Sequence, residues 1–321
     1  MSTRAVIAPI ADGKPRPRWS VMIPTYNCAR FLGETLRSVL AQAPAPEIMQ
    51  IEVVDDGSQR DDPEAVVREI GQGRVGFFRQ PQNVGHIRNF ETCLQRSRGH
   101  LIHLLHGDDS VRPGFYDKLG TAFELDETIG AAFCRQIFAD EGGHWQNISS
   151  LEQAKTGVLN NSLERLASEQ RIMTPSIVVL REIYERLGGF DSRLICAEDW
   201  EMWVRIAARY PIWYETEPLA IYRMHADSNT GRHIATGAER RYTRIAIEVF
   251  KEHLPLAIAD SATKSARRTY ALATLESLAP LIQRRDWAAL RTQANEAFCF
   301  DHSLPVILRF LRLMIKFIAK R

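Results

Sequence analysis

The stretch that decides the fold is Ile51-Glu52-Val53-Val54-Asp55-Asp56-Gly57-Ser58. An apolar run rich in β-branched residues that ends in turn residues predicts a buried strand. In an open α/β sheet, side chains that follow a strand lie at the carboxyl edge, where such folds bind ligands. Asp55 and Asp56 are therefore candidates to accept hydrogen bonds from a ribose diol or a base N–H. The alternative is an ordinary Asp-Gly turn with a helix cap.

A strand–helix rhythm surrounds this stretch. From Trp19 an apolar strand is followed by a helix whose Leu32 and Leu36 share one face. The alternation continues to residue 105. Strands are predicted at 21–24, 51–54, 75–78 and 101–105, with further helices at 63–70 and 84–95. This alternation predicts an α/β fold with a parallel, doubly wound sheet.

The pattern changes twice farther along the chain. Beyond Arg112, short strands are predicted at 129–138, 176–180 and 212–222, and a helix is predicted to start near Glu198, so this half is expected to be α+β. After about Gly237 only helical patterns remain. We therefore expect a flexible tail at 1–18, a domain at 19–230 with halves at 19–112 and 113–230, and a helical region at 231–321.

Composition narrows the class of protein. The 321 residues are 45% hydrophobic and 25% charged, which is typical of a globular protein and excludes disordered and collagen-like chains. The net charge of +2 gives no reason to expect a nucleic-acid partner. The five cysteines are odd in number and form no CxxC pair, so neither a disulfide framework nor a zinc site is indicated. A reducing, cytoplasmic location is expected.

A second predicted strand also ends in paired carboxylates, in Leu104-Leu105-His106-Gly107-Asp108-Asp109. Hard oxygen ligands suit Mg²⁺ or Mn²⁺, and a diphosphate would supply the remaining oxygens. One such loop alone would be interpreted as solvated and acidic. Two strand-end Asp-Asp pairs in one sheet are harder to explain in that way, because like charges at one edge repel unless a cation or a diol uses them.

Three further segments carry candidate polar side chains. The segment Asn83–Asn89 opens a helix, where Gly85 permits close backbone approach and Arg88 either meets a phosphate, braces a carboxylate or lies on the surface. Asp199 falls in the first turn of a helix whose dipole keeps it ionised, and ordinary dipole complementation is the alternative. His225 follows a strand and is a candidate metal ligand or phosphate contact, although a lone histidine is more often structural.

Seven segments, in this order over about residues 19–228, together resemble the family 2 inverting glycosyltransferases of the GT-A fold. They are Pro24-Thr25-Tyr26-Asn27, Val54-Asp55-Asp56-Gly57-Ser58, Asn83-Val84-Gly85 with Arg88-Asn89, Leu105-His106-Gly107-Asp108-Asp109, Gly188-Gly189-Phe190-Asp191, Glu198-Asp199 and Tyr222-Arg223-Met224-His225. The resemblance implies a GT-A nucleotide-diphospho-sugar transferase fold with a mainly helical C-terminal region. Residues 19–112 would bind the nucleotide and residues 113–230 the acceptor.

The resemblance also implies roles for individual residues. Thr25 and Asp55 would contact the base, and Asp56 would contact the base or the ribose. Asp108 would contact the ribose or the metal, Asp109 would bind the cation, and His225 would support the metal or the diphosphate. Asp199 would be the general base. Tyr26, Asn27, Asn83, Gly85 and Arg88 complete the expected nucleotide-sugar site. His106 stands where many members carry another Asp. Ligation of Mn²⁺ or Mg²⁺ is then expected to rest mainly on Asp109 with Asp108, with lower affinity for the ion.

The implied activity is transfer of a sugar, with inversion, from a nucleoside-diphosphate sugar, UDP-sugar favoured, to a hydroxyl of a glycan or lipid-linked acceptor. Cell-surface polysaccharide synthesis is the expected setting. Two alternatives stay open. A sugar-nucleotide-forming nucleotidyltransferase would usually show a Gly-rich basic loop after the first strand, and the segment Pro24–Cys28 is not one. A catalytically degenerate, membrane-associated binding module is the other.

The last sixteen residues, 306–321, are mostly apolar, with Arg309, Arg312, Lys316 and Lys320 on one helical stripe. A helix that spans a membrane needs about 20 apolar residues, so a helix lying in the membrane surface fits better. Docking on the protein core or on a second subunit is the alternative. Peripheral contact with the inner face of the membrane is therefore an expectation that the sequence leaves open.

Overall fold

The computed structural model describes residues 3–11, 13–236 and 238–318. Its first half contains the alternating elements expected from the sequence and one further short strand, at 110–111, that was not predicted. They are β1 (Trp19–Thr25), α1 (Ala29–Leu40), β2 (Met49–Asp55), α2 (Pro63–Gly71), β3 (Gly76–Arg79), α3 (His86–Arg96), β4 (Leu101–Leu104) and the short β5 (Ser110–Val111).

The second half mixes short strands with helices, as predicted. Its elements are α4 (Phe115–Leu125), β6 (Ala131–Ala139), β7 (Trp145–Ile148), β8 (Gly157–Val158), α5 (Ser162–Ser168), β9 (Ile177–Leu180), α6 (Arg181–Leu187), α7 (Glu198–Ala207), β10 (Ile212–Arg223) and α8 (Asn229–Thr236). A single turn of 3₁₀ helix at Thr174–Ser176 leads into β9.

The described strands form one mixed sheet in the order β3-β2-β1-β4-β9-β6-β10-β5, with β7 beside β6 and β8 beside β10. β1 is parallel to both β2 and β4, and Thr25 pairs in register with Asp55. The parallel half of the sheet is therefore confirmed. Because these strands run in the same direction, the loops after Thr25, Asp55 and Leu104 lie at one edge.

Local sequence explains why these elements form. Every residue of β1 is buried, as a strand covered on both faces requires. In α1 the spacing of Leu32, Leu36 and Val39 gives one apolar face, and all three are buried. Helix α2 begins at Pro63, and the Asp62 carboxylate accepts a hydrogen bond from the Ala65 N–H, which caps the helix.

Residues 238–318 form helices joined by short turns, which confirms the helical C-terminal region. They are α9 (Ala238–Lys251), α10 (Leu256–Glu276), α11 (Leu278–Arg284), α12 (Trp287–Phe300) and α13 (Leu304–Ile318). The Trp200 ring of α7 packs edge-on against Phe250 of α9 at 4.9 Å, so this region shares a core with the sheet domain. None of the helices in the described chain combines the length and apolarity that crossing a bilayer requires.

The N-terminal segment differs from the flexible tail expected from its prolines and basic residues. Ile7 is buried in the core. The Arg4 guanidinium lies 3.0 Å from Asp191 Oδ2, and Arg181 donates a hydrogen bond to the Ala8 carbonyl at 2.9 Å. Within the described part of 1–18 the chain is therefore attached. Its partners come from residues more than 170 positions away, which local composition could not reveal.

Candidate functional site

A cleft of about 730 Å³ opens at the carboxyl ends of β1, β2 and β4. Nine of the twelve residues expected at the site line it, namely Thr25, Tyr26, Asn27, Asp56, Asn83, Gly85, Asp108, Asp199 and His225. Asp55, Arg88 and Asp109 are not among the lining residues. The opposite part of the wall comes from α7, α8 and α9, so the helical region also contributes to the cleft.

The turn after β1 is organised by Asn27. Its backbone adopts a left-handed conformation with φ of 51°. The Asn27 Oδ1 accepts hydrogen bonds from the N–H groups of Gln59 and Arg60, each at 3.0 Å, and its own N–H donates to Ser58 Oγ at 2.8 Å. These bonds tie the loops after β1 and β2 together. Asn27 is thus part of the cleft wall, with its side-chain oxygen used within the protein.

The two carboxylates after β2 have different surroundings. Asp55 is fully buried and meets the Ser58 hydroxyl at 2.5 Å and the Arg79 guanidinium at 2.7 Å. The Asp56 carboxylate lines the cleft and accepts hydrogen bonds from the N–H groups of Val84 at 2.7 Å and Gly85 at 3.0 Å. Burial raises the pKa of Asp56, and these two N–H donors oppose the rise. Asp55 therefore braces the loop from behind, while Asp56 faces the cleft.

The start of α3 supplies the next part of the wall. Gly85 caps the helix with φ of 86°, a conformation that residues with a Cβ rarely adopt, and this allows its N–H to reach Asp56. Asn83 is exposed and lines the cleft. Arg88 lies on an exposed position of α3 outside the cleft wall. Arg88 was expected to meet a phosphate, to brace a carboxylate or to lie on the surface, and its position agrees with the last of these.

The loop after β4 brings His106, Asp108 and Asp109 together. Each offers one ligand atom, and these atoms lie within 4.8 Å of one another. Gly107 permits this packing, because a Cβ there would lie 2.9 Å from both Thr25 Oγ1 and Cys28 Sγ. His106 Nδ1 is 3.6 Å from Asp109 Oδ2. His106, which stands where many family members carry another Asp, therefore belongs to the same cluster as Asp108 and Asp109.

The C-terminal end of β10 and the residues that follow it contact this cluster. His225 Nε2 lies 2.9 Å from Asp108 Oδ2, and the Arg223 N–H donates to Asp109 Oδ1 at 2.8 Å. Burial opposes ionisation of Asp108, but the hydrogen bond from His225 brings the pKa of its carboxyl below the usual value. Burial and the charge of Asp108 raise the pKa of Asp109 well above its usual value.

The cluster fits a divalent cation. Asp109 Oδ2 is buried and has no hydrogen-bond partner among the described residues, and the same holds for His106 Nε2 and His225 Nδ1. Burial lowers the pKa of His106, which keeps its imidazole in the neutral form that can act as a ligand. Oxygen and imidazole donors around an unpartnered buried carboxylate oxygen suit Mn²⁺ or Mg²⁺. A buried carboxylate oxygen without a hydrogen-bond partner is costly unless a cation is bound.

Asp199 stands in the first turn of α7 on the same cleft. Gln170 Nε2 donates to both of its carboxylate oxygens, at 2.9 and 3.0 Å. The Thr174 hydroxyl donates at 3.2 Å and the Trp200 N–H at 2.8 Å. The residue before the helix, Ala197, has a left-handed backbone with φ of 65°, which is unusual for a residue with a Cβ. These contacts hold the carboxylate in one orientation beside the cleft.

The pKa of Asp199 is raised to about 7, first by burial and next by the charge of the neighbouring Glu198. Hydrogen bonds from Trp200 N–H and Thr174 act in the other direction. The sequence-based expectation was that the helix dipole keeps Asp199 ionised. Burial and a second carboxylate outweigh that effect, and they give Asp199 a pKa suited to proton transfer near neutral pH.

Four residues around Asp199 and the cluster were not predicted from the sequence to belong to the site. They are His86, Gln170, Thr174 and Glu198. Glu198 is buried and lies 3.2 Å from His86 Nε2. Burial acts to lower the pKa of His86, yet Glu198 raises it overall. The Glu198-Asp199 pair was visible in the sequence, whereas His86 lies more than 100 positions earlier and Gln170 falls in a stretch without a readable pattern.

Similarity to known proteins agrees with this geometry. The sequence model of Glycosyl transferase family 2 matches residues 20–188. An uncharacterized protein of Mycobacterium tuberculosis is 30% identical over 69% of this chain and 72% of its own length. An N-acetylglucosaminyltransferase of Mesorhizobium japonicum is 32% identical over 42% of this chain, and the match spans only 32% of that enzyme.

Two solved structures share the fold at low sequence identity. TarS of S. aureus, determined in complex with UDP-GlcNAc, has a TM-score of 0.65 and 14% identity, with 94% of this chain and 80% of that chain covered. A mannosyltransferase from Pyrobaculum calidifontis, in complex with GDP-Man and Mn²⁺, has a TM-score of 0.57 and 19% identity, with coverage of 90% and 89%. The fold is therefore GT-A, and the chain belongs to glycosyl transferase family 2.

Proposed function

We propose that the protein is an inverting, metal-dependent glycosyltransferase that moves a sugar from a nucleoside-diphosphate sugar to a hydroxyl of a glycan or lipid-linked acceptor. The observation that carries this proposal is that Asp199 lines the same cleft as His106 and Asp108 of the acidic cluster. Asp199 has the pKa of a general base, and the cluster has the donor atoms of a cation site. A metal-dependent displacement with inversion needs both.

Asp199 would remove the proton from the acceptor hydroxyl as its oxygen attacks the anomeric carbon. Gln170 and Thr174 would orient the carboxylate through the hydrogen bonds that they donate to it. A single displacement inverts the anomeric centre, whereas retention requires a second, nucleophilic carboxylate. Glu198, the adjacent carboxylate, is buried against His86, which supports the single-displacement assignment.

Asp108, Asp109 and His106 would hold Mn²⁺ or Mg²⁺, with His225 orienting Asp108. When bound, such a cation offsets the negative charge that grows on the departing diphosphate. The protein's own contribution is to fix these ligands. Thr35 donates to the Asp109 carbonyl at 2.7 Å, and the Arg223 side chain donates to the Asp108 carbonyl at 3.0 Å. The loop therefore keeps its shape independently of the carboxylates' charge.

For the donor we favour a UDP-sugar, bound at the base and ribose by the wall formed by Thr25, Tyr26, Asp56 and Asn83. TarS in complex with UDP-GlcNAc supports a uridine nucleotide, and the mannosyltransferase with GDP-Man and Mn²⁺ supports a nucleotide sugar with a metal. A role in cell-surface polysaccharide synthesis is part of the proposal. All five cysteines are free, which is consistent with the cytoplasm as the compartment.

A donor-hydrolysis screen tests the proposal. The full chain is incubated with UDP-, GDP- and dTDP-sugars with Mn²⁺, Mg²⁺ or chelator, and release of nucleoside diphosphate is measured. We expect release from one donor class, with metal, and its loss in the Asp199→Asn variant. Binding of a donor without turnover in any combination would instead indicate the degenerate binding module. Formation of a sugar nucleotide from a nucleoside triphosphate and a sugar phosphate would indicate the nucleotidyltransferase.

A further inference from the structure

Helix α13 has two apolar faces, and among the described residues one of them packs on the protein. Val306 is fully buried, and Phe310 packs edge-on against Phe298 of α12 with ring centroids 5.4 Å apart. Leu313 and Met314 also pack against the core. The helix is therefore docked on the protein, as one of the two sequence-based alternatives predicted.

The other apolar face of α13 is not covered by any part of the chain that the structure describes. Leu304, Leu308, Leu311 and Ile315, which we call the outer stripe, are between 41% and 66% exposed. Their spacing of four, three and four residues aligns them along one side of a helix. Four large apolar side chains in a row on a surface helix form a continuous patch, whereas a single exposed leucine does not. Exposed apolar patches of this kind mark interaction sites.

Positive charge borders the outer stripe. Arg312 follows Leu311 directly and comes one turn after Leu308, so it lies next to the stripe. Arg309 is half-exposed and lies 3.2 Å from Glu276 of α10. The sequence from 304 to 321 contains no acidic residue. Lys316 falls within α13, but its side chain and Lys320 lie outside the described residues. The positive charge beside the outer stripe is therefore that of Arg312.

We propose that the outer stripe of α13 binds the surface of a lipid bilayer that contains anionic headgroups, with the helix lying in the plane of the interface. An apolar stripe flanked by basic residues is the pattern of such helices. The 15 residues of α13 are too few to cross the hydrocarbon core, which fits a surface position. A second copy of the chain would present the same Arg312 and, between 304 and 321, no acidic residue to pair with it, so charge favours an anionic lipid surface over self-association.

The test uses the full chain and point substitutions on the exposed face, because deleting 306–321 would remove the buried Val306. A double variant carries Leu308→Ser and Leu311→Ser. Its matched control carries Leu125→Ser and Leu256→Ser, two exposed leucines on α4 and α10. Arg312→Gln is compared with Arg291→Gln, another exposed arginine, on α12. Each protein is co-sedimented with vesicles of phosphatidylcholine alone or mixed with phosphatidylglycerol, at low and high salt.

We expect the parent to bind the anionic vesicles and to lose binding as salt is raised. The double leucine variant should bind roughly tenfold more weakly, and Arg312→Gln about fivefold more weakly. Both controls should bind like the parent, and all variants should keep the parent's melting temperature and nucleotide binding.

Three results would overturn the proposal. The first is a parent that does not bind anionic vesicles, and the second is a double leucine variant that binds as tightly as the parent. The third is a parent that forms dimers in sedimentation velocity which the double leucine variant does not form, since the stripe would then be covered by a second copy. None of these results bears on the glycosyltransferase proposal, because the cleft is tested by donor hydrolysis.

Discussion

Gln170 and Asp199 are joined by a two-pronged contact in which one amide nitrogen donates to both carboxylate oxygens, at 2.9 and 3.0 Å. The contact fixes the plane of the carboxylate while the raised pKa of about 7 leaves it able to take a proton. A base that is held but not neutralised by a full positive charge suits proton abstraction from an acceptor hydroxyl.

Replacing the proposed base tests this role directly. Asp199→Asn keeps the size of the side chain but cannot accept the proton, so we expect transfer to fall by about 10² to 10⁴. Donor binding, measured by calorimetry with Mn²⁺ present, should stay within a few-fold of the parent. A variant that retains transfer within a few-fold would remove Asp199 from the base role.

The pH dependence of transfer can be tested with two substitutions that should shift the pKa of Asp199 in opposite directions. Because Asp199 must be ionised to act as a base, activity should rise as pH increases through about 7. Thr174→Val removes a hydrogen bond that lowers the pKa of Asp199, so the rising limb should move to higher pH. Glu198→Gln removes a negative charge that raises this pKa, so the limb should move to lower pH.

Profiles of kcat/KM for the three proteins at saturating metal decide the matter. Shifts in the two stated directions would support Asp199 as the group that titrates. If both variants kept the parent's limb and only lost rate, the limb would belong to another group.

The acidic cluster can be tested through metal-dependent binding of the nucleotide. We expect Asp109→Asn to weaken UDP binding by roughly tenfold or more when Mn²⁺ is present and to change little with chelator. The asparagine can still accept the hydrogen bond from Arg223 N–H, so the loop should keep its shape. Asp227→Asn, at another acidic residue of the cleft that lies 3.3 Å from Arg30, is the matched control.

Calorimetry with and without chelator separates the interpretations. An equal loss for Asp109→Asn under both conditions would indicate a structural role for this carboxylate. An equal effect of Asp227→Asn would indicate that the general negative charge of the cleft, rather than the cluster, governs the metal dependence.

The attachment of the N-terminal segment predicts a stability effect. Arg4 contacts two fully buried carboxylates, Asp191 at 3.0 Å and Glu201 at 3.3 Å. Arg4→Ala should lower the free energy of unfolding by about 2 kcal/mol, because it takes a cation from buried acids that retain other arginine partners. Arg186→Ala removes an exposed pair with Glu182 and should cost at most about 0.5 kcal/mol.

Urea unfolding followed by circular dichroism measures both variants. If the N-terminal segment were a flexible tail, Arg4→Ala would change the free energy of unfolding no more than Arg186→Ala does. Equal midpoints would therefore indicate that the segment is not attached.

Much of the architecture was determined by the sequence alone. The alternation of apolar strands and amphipathic helices predicted the parallel half of the sheet, and strand-end pairs such as Asp55-Asp56 and Asp108-Asp109 marked the edge at which the cleft opens. These features are local, because strand and helix periodicity and the parallel direction of neighbouring strands follow from short-range patterns. The helical character of residues 238–318 was predicted for the same reason.

The tertiary structure alone decided the surroundings of each candidate residue. It buried Asp55 against Arg79 and turned Asp56 to the cleft, although the two are adjacent in the chain. It joined Asp108 to His225 across 117 positions. Contacts over such separations depend on how strands and loops pack, and the resulting burial sets the pKa of a group like Asp199. No pattern within a few residues carries that information, because burial and neighbouring charge exist only once the chain has folded.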